Sequence, residues 1–116
     1  MQAKWLALQT MLLNAQGQPQ ESVNLAKQAL AIAPTDDDQV LSMIYLGLAS
    51  AYQQMDDYEQ ARDAFQMIIQ HGRAVGNSVY ELLGVSGLAL LVLQYGGYHQ
   101  AHELVTQAIE RSERAG

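Results

Sequence analysis

The sequence predicts an all-α fold, a superhelix of about six antiparallel helices in three hairpins with a period of about 40 residues. Three observations carry that reading. The chain repeats itself: Tyr58, Glu59, Gln60 and Ala61 return 40 residues later as Tyr98, His99, Gln100 and Ala101, and Gly47, Leu48 and Ala49 return at the same offset as Gly87, Leu88 and Ala89. Apolar residues recur at 61, 64, 65, 68 and 69 and again at 101, 104, 105, 108 and 109, the spacing of one helical face, with no strict alternation to suggest strands. Glycine and proline fall between these periodic segments.

The first helix is expected over about 2–16. It is the weakest copy: Leu6 and Leu13 fall at apolar positions, but Gln9 and Thr10 stand where the other copies have Leu and Ala. Gly17, Gln18 and Pro19 make a turn, with proline at a first helical position, where its missing N–H is no loss. The second helix, 19–33, matches the fourth at an offset of 39, with Ser22, Leu25, Ala26, Ala29 and Leu30 in the places of Ala61, Ala64, Phe65, Ile68 and Ile69. Pro34 ends it.

The third helix is expected over 36–54. Thr35 with Asp38 has the form of a capping box, and Asp36 to Asp38 suit the positive end of a helix dipole. Asp56 or Asp57 is expected to cap the fourth helix, 58–75, which Gly76 stops in a left-handed conformation. Ser78 with Glu81 reads as a second capping box for the fifth helix, 78–95, and Gly96 and Gly97 turn the chain into the sixth, 98–115. Gly116 is the repeat-equivalent of Gly76. The repeats are then 1–35, 36–76 and 77–116, all within one domain. Gly47 and Gly87 lie inside helices, where glycine costs about 1 kcal/mol relative to alanine. Their recurrence at equivalent places predicts close approach of a partner helix.

Composition narrows the function. Ala, Leu and Gln dominate, and each forms helix readily. Twelve acids against six bases give a net charge of −6, with no basic cluster, so direct contact of this segment with nucleic acid is not expected. The absence of cysteine excludes disulfides and thiolate metal sites and is compatible with a cytoplasmic location. The uncharged stretch Leu82 to Tyr98 is broken by glycines, Ser86 and Gln94, and reads as a buried helix and its turn, not a membrane span. No nucleophile, base and acid stand at spacings that tie them together, so no catalytic residue and no cofactor are assigned. His99 and His102 share one side of a helix but lack further zinc ligands, since Glu103 is read as pointing away; solvated surface histidines are expected. Asp36 to Asp38 lack the glycine and distal glutamate of a calcium loop, and helix capping explains them better. The six tyrosines, 45, 52, 58, 80, 95 and 98, read as packing residues with a polar tip, and Trp5 as packing at the N-terminal end unless truncation leaves it partly exposed.

Tyr45, Leu48, Ala49, Tyr52, Tyr58, Ala61 and Phe65 resemble the tetratricopeptide (TPR) consensus in order and spacing. Val85, Leu88, Ala89, Val92, Tyr98, Ala101 and Val105 look like the same pattern with aliphatic replacements. Ordinary repeats of that family span about 34 residues, so each helix here should be longer. The longer period, with Ala33, Pro34, Thr35, Asp36 and Asp37 between hairpins and Gly76, Asn77 after the fourth helix, is similar to the TPR-like sensor region of the bacterial activator MalT and related large LuxR-type transcriptional regulators. That resemblance implies a sensor fragment of a larger protein, whose phosphate loop and recognition helix this sequence does not contain.

The family resemblance also implies a binding surface. The first helix of each hairpin would line a concave groove, placing Lys4, Ala7, Met11 and Asn14 there in the first copy, Met43, Leu46, Ser50, Gln53 and Gln54 in the second, and Leu83, Ser86, Leu90, Leu93 and Gln94 in the third. The implied partner is a protein, a peptide or a small inducer. Lys4 and Asn14 alone are too few to make a clamp for C-terminal carboxylates of the kind some family members carry. Leu104, Val105, Ala108 and Ile109 would lack a following repeat, so self-association through uncapped ends is expected.

Overall fold

The helices form where the spacing places them, and most of the turns between them are built from one local device. The computed structural model describes residues 2–34 and 36–115, without the side chains of Ser112 and Ala115. Among these residues there are six helices and no strand: α1 (Gln2–Ala15), α2 (Pro19–Ile32), α3 (Asp38–Gln54), α4 (Tyr58–Val75), α5 (Ser78–Gln94) and α6 (Tyr98–Ala115). Thr35 and Gly116, which carry two of the expectations above, lie outside the described residues.

Four of the five turns share one hydrogen-bond pattern. A backbone N–H just past the helix reaches back to a carbonyl five residues earlier: Gln18 to Leu13 at 2.9 Å, Asp57 to Tyr52 at 2.9 Å, Asn77 to Gly72 at 2.9 Å and Gly97 to Val92 at 2.7 Å. This pattern needs a left-handed residue just before the donor. Gly17 (φ 74°), Gly76 (φ 67°) and Gly96 (φ 84°) supply it, and in the remaining turn Asp56 does so at φ 57°. The link from α2 to α3 differs because Ala33 precedes Pro34 and is held extended, at φ −70° and ψ 139°.

The caps of α3 and α5 are Asp37 and Asn77, which corrects the capping-box expectation for Ser78 and Glu81. Asp37 caps α3 by accepting from the Val40 N–H at 3.1 Å, and Asp38 turns instead to His71. Asn77 caps α5 by accepting from the N–H groups of Val79 and Tyr80, while Ser78 is already helical and Glu81 pairs with arginines. Of the two candidates before α4, Asp57 is the cap.

The helices stack in two layers. Each packs on its sequence neighbours, α1 also meets α3, and α5 barely touches α3. Among the described residues α2, α4 and α6 make no contact with one another. The stack therefore bends towards the layer of α1, α3 and α5. Its smallest dimension, 19 Å, is that of two helices side by side.

Small residues let the layers close. Ala26, Ala29, Ala49, Ala51 and Ala61 are fully buried, and Ile44, Ile68 and Leu91 fill the space between them. The close approach expected at Gly47 and Gly87 is present: a Cβ on Gly47 would stand 2.4 Å from Thr10 Oγ1, and one on Gly87 would fall within the Phe65 ring. Gly72 and Gly84 do the same between α4 and α5, the first against the backbone of Tyr80 and Glu81. Thr10, which broke the repeat pattern, is wholly buried, and its hydroxyl donates to the Ala7 carbonyl at 2.6 Å.

Candidate functional site

The layer of α1, α3 and α5 carries every residue of the expected groove. These positions differ in how much surface they present. On α3, Met43, Leu46, Ser50 and Gln53 are half-buried, with α1 packed beside α3; Gln54 is exposed. Their equivalents on α5, Leu83, Ser86, Leu90, Leu93 and Gln94, are all exposed, with Leu90 at 61%. These five recur at helical spacing and share one side of α5. On α1, Met11 and Asn14 are half-buried, Ala7 is buried and Lys4 is exposed.

Two of the amides already have structural work. Asn14 Nδ2 donates to the Gly47 carbonyl at 3.0 Å, and Gln54 Nε2 donates to the Asn14 carbonyl at 2.9 Å. Together they tie the end of α1 to α3. The α5 side of α3 has no such tie among the described residues. Apolar surface with amide edges is therefore widest on α5.

The second-helix layer holds two furrows that the sequence reading missed. Between α4 and α6, over Leu88 and Val92, lies a furrow of about 310 Å³ lined by Tyr58, Arg62, Glu103 and Leu104. Its counterpart one repeat earlier, over Leu48 and Tyr52, holds only about 120 Å³. Tyr52 lines the smaller furrow in the register position that Val92 holds in the larger one. The exchange of tyrosine for valine at the 40-residue offset was the signal available in the sequence. Tyr95 packs edge-on, at 4.6 Å, against Tyr58, which lines the larger furrow.

The charged and aromatic side chains bring further corrections. His71, unlike His99 and His102, is half-buried: it bonds Asp38 through Nδ1 and stacks on Tyr45 with ring centroids 5.8 Å apart. Glu103 does not point away, since it lies four residues beyond His99 and meets its Nε2 at 3.1 Å. Tyr52 is buried, where burial first and then Asp57 push its hydroxyl pKa up. Tyr98 is 73% exposed, so it does not pack inside the stack, and Trp5 is 61% exposed, the second of the two outcomes expected for it. Glu81 accepts from Arg111 Nε at 2.8 Å and from Arg73 Nε at 3.0 Å, joining α4, α5 and α6. Burial alone would raise its carboxyl pKa, but the two guanidinium groups outweigh that and hold it below the usual carboxylate range.

Among the described residues no three His, Asp or Glu side chains cluster to hold a metal ion, and no helix is long and apolar enough to cross a membrane. A scan against protein families matches the tetratricopeptide repeat over residues 39–114. A search of curated proteins finds no match.

Proposed function

The chain belongs to the tetratricopeptide repeat family, and from that premise we propose that its first-helix layer docks an amphipathic helix or peptide of a partner protein. The family suggests a non-catalytic protein-interaction module. The observation that carries the proposal is the side of α5, where Leu83, Leu90 and Leu93 are exposed beside Ser86 and Gln94. Large apolar side chains at i, i+7 and i+10 on one side of α5 form a stripe against which the apolar anchors of an amphipathic helix can pack. The half-buried Met43, Leu46, Ser50 and Gln53 continue that surface across α3, with Met11, Asn14 and Gln54 at its α1 edge. Screening on an array of amphipathic helical peptides tests this. Leu90→Asp should lower binding at least about tenfold with helicity unchanged, as loss of a central anchor costs 1–2 kcal/mol or more. Binding that survives Leu83→Asp and Leu90→Asp together would place the docking surface elsewhere.

A finer reading takes the chain, as one stack of three repeats, for the ligand- or protein-sensing segment of a cytoplasmic bacterial LuxR-type regulator similar to MalT. Its support is the 40-residue period, with helices of 17 and 18 residues from α3 to α6. A bound inducer or partner would act by preferring one superhelical arrangement over another. The full reading frame decides: a phosphate loop upstream and a helix-turn-helix downstream are required.

A further inference from the structure

The furrow between α4 and α6 differs from its counterpart one repeat earlier in size and in chemistry. Both have a buried floor from the first helix, Leu88 and Val92 in one and Leu48 and Tyr52 in the other. The first holds about 310 Å³ and the second about 120 Å³. At the 40-residue offset Tyr52 becomes Val92 and Met67 becomes Gln107, so a ring leaves the floor and an amide replaces a thioether on the wall. The α4 wall of the larger furrow carries Tyr58, Arg62 and Gln66. At the 39-residue offset α2 has Pro19, Val23 and Lys27 in those places, and Val23 is buried. The larger furrow therefore sets a guanidinium, Arg62, on one wall and a carboxylate, Glu103, on the other. The smaller one has Asp63 at the position of Glu103 but no cation at the position of Arg62.

The chain itself holds these two charged groups only loosely. Arg62 lies over the Tyr58 ring at 5.9 Å and reaches Asp63 Oδ1 at 3.3 Å, and Glu103 meets His99 at 3.1 Å. Both ion pairs join neighbours on one helix at the surface, where such pairs contribute little, so a ligand can displace them. Among the described residues α4 and α6 make no contact with each other. A molecule that engages both walls would brace two helices that the chain leaves apart. The furrow's volume is at the small end of the range for ligand sites. The floor calls for an apolar body, and the walls call for one anionic and one cationic group on it.

We propose that this furrow binds a free α-amino acid with an apolar side chain. Its carboxylate meets Arg62, its ammonium meets Glu103, and its side chain lies over Leu88 and Val92. Charge-assisted hydrogen bonds at both walls fix its orientation, and burial of the side chain adds affinity. The site lies in the second-helix layer, and it does not rest on peptide docking to α5.

Titration of the isotope-labelled chain with L-leucine, L-methionine and L-phenylalanine, followed by nuclear magnetic resonance, tests the proposal. At least one of the three should move the backbone amide signals around Arg62, Val92 and Glu103. Arg62→Gln and Glu103→Gln should each weaken that binding about tenfold or more, the loss of one charge-assisted hydrogen bond. The same losses should appear when the ligand is changed. The N-acetylated form of the amino acid that binds lacks the ammonium, and Glu103→Gln should cost it nothing further. The carboxamide form lacks the carboxylate, and Arg62→Gln should cost it nothing further. Val92→Tyr, which installs the residue of the smaller furrow, should abolish binding. Arg62 and Glu103 are surface side chains, so circular dichroism should show wild-type helicity in their variants; if Val92→Tyr loses its helices, those two carry the test. Binding of none of the three amino acids overturns the proposal. So does binding that Arg62→Gln and Glu103→Gln leave unchanged, or signal changes confined to Leu83, Leu90 and Leu93 on α5. Peptide docking to α5 is read by a separate assay, so the two readings fail independently.

Discussion

The two junctions between repeats use the same Gly-Leu-Ala triplet and pack differently. Gly47 lets α3 close on α1, where Thr10 faces it. Gly87 lets α5 close on α4, under the ring of Phe65. The cause lies one helix back. In the register position of Phe65 the first repeat has Ala26, so no ring stands between α2 and α3, and α1 comes close enough to hydrogen-bond across to Gly47. At the second junction Phe65 occupies that space, α5 rides on α4, and α5 scarcely meets α3. A repeated motif thus specifies closeness, and the preceding repeat decides to what. The functional consequence is that groove positions exposed on α5 are half-buried on α3.

The strongest way to break this comparison is to remove the ring. Phe65→Ala should destabilise the chain by about 3–5 kcal/mol, the usual cost of emptying a buried aromatic site, read as a shift in the urea midpoint followed by circular dichroism. If Phe65 holds α5 out, Gly87→Ala in the Phe65→Ala background should recover part of that loss, whereas Gly87→Ala alone should cost about 1–3 kcal/mol by overpacking. Additive effects in this double-mutant cycle would disprove the contact's role.

A second test sets glycine against glycine. A Cβ on Gly72 would meet backbone, 2.7 Å from the Glu81 nitrogen, which cannot move without shifting α5. A Cβ on Gly47 meets the Thr10 side chain. Gly72→Ala should therefore cost about 2 kcal/mol, and Gly47→Ala about 1 kcal/mol or less, because alanine's better helix propensity offsets part of each clash. Equal losses would show that both junctions are equally rigid.

Glu81 sharpens the comparison electrostatically, since it ties α5 to α4 and α6 through Arg73 and Arg111. Its carboxyl is held below the usual range in the folded state, so its stabilisation is present above the unfolded value, about pH 4, and is lost as pH falls through the folded value. Glu81→Gln should cost about 1 kcal/mol at neutral pH, and the gap between variant and wild type should close in acid. A gap that is independent of pH would mean that packing, not charge, is what the glutamate contributes.

Much of this was legible in sequence, because helix ends follow from local chemistry. Pro19, Pro34, Gly76 and Gly96 mark their turns, and the predicted helices end within two residues of the observed ones. The caps were placed one residue off at α5 because Ser78 and Asn77 are both capping residues in adjacent positions, and only the backbone shows which is outside the helix. What the sequence hid was relational. The bond between His71 and Asp38 spans 33 residues, and no local spacing announces it. The groove residues were implied by the family resemblance, but their exposure depends on whether α1 packs beside them, which the Ala26 and Phe65 positions decide together.

The smallest effect separates the junctions from the hairpins they join. Asp56 takes the left-handed turn position that Gly17 and Gly96 hold in the other hairpins. A side chain there is strained, though aspartate tolerates it better than most residues. Asp56→Gly should relieve that strain and add about 0.5 kcal/mol of net stability, less than the full strain because glycine also loosens the unfolded chain. The change lies inside the second hairpin and touches neither junction. Its gain should therefore add to the Gly47→Ala and Gly72→Ala effects without altering the difference between them. A gain that appears with one of those variants and not the other would mean that the α3–α4 turn belongs to a junction, and that the boundary between hairpin and interface has been drawn in the wrong place.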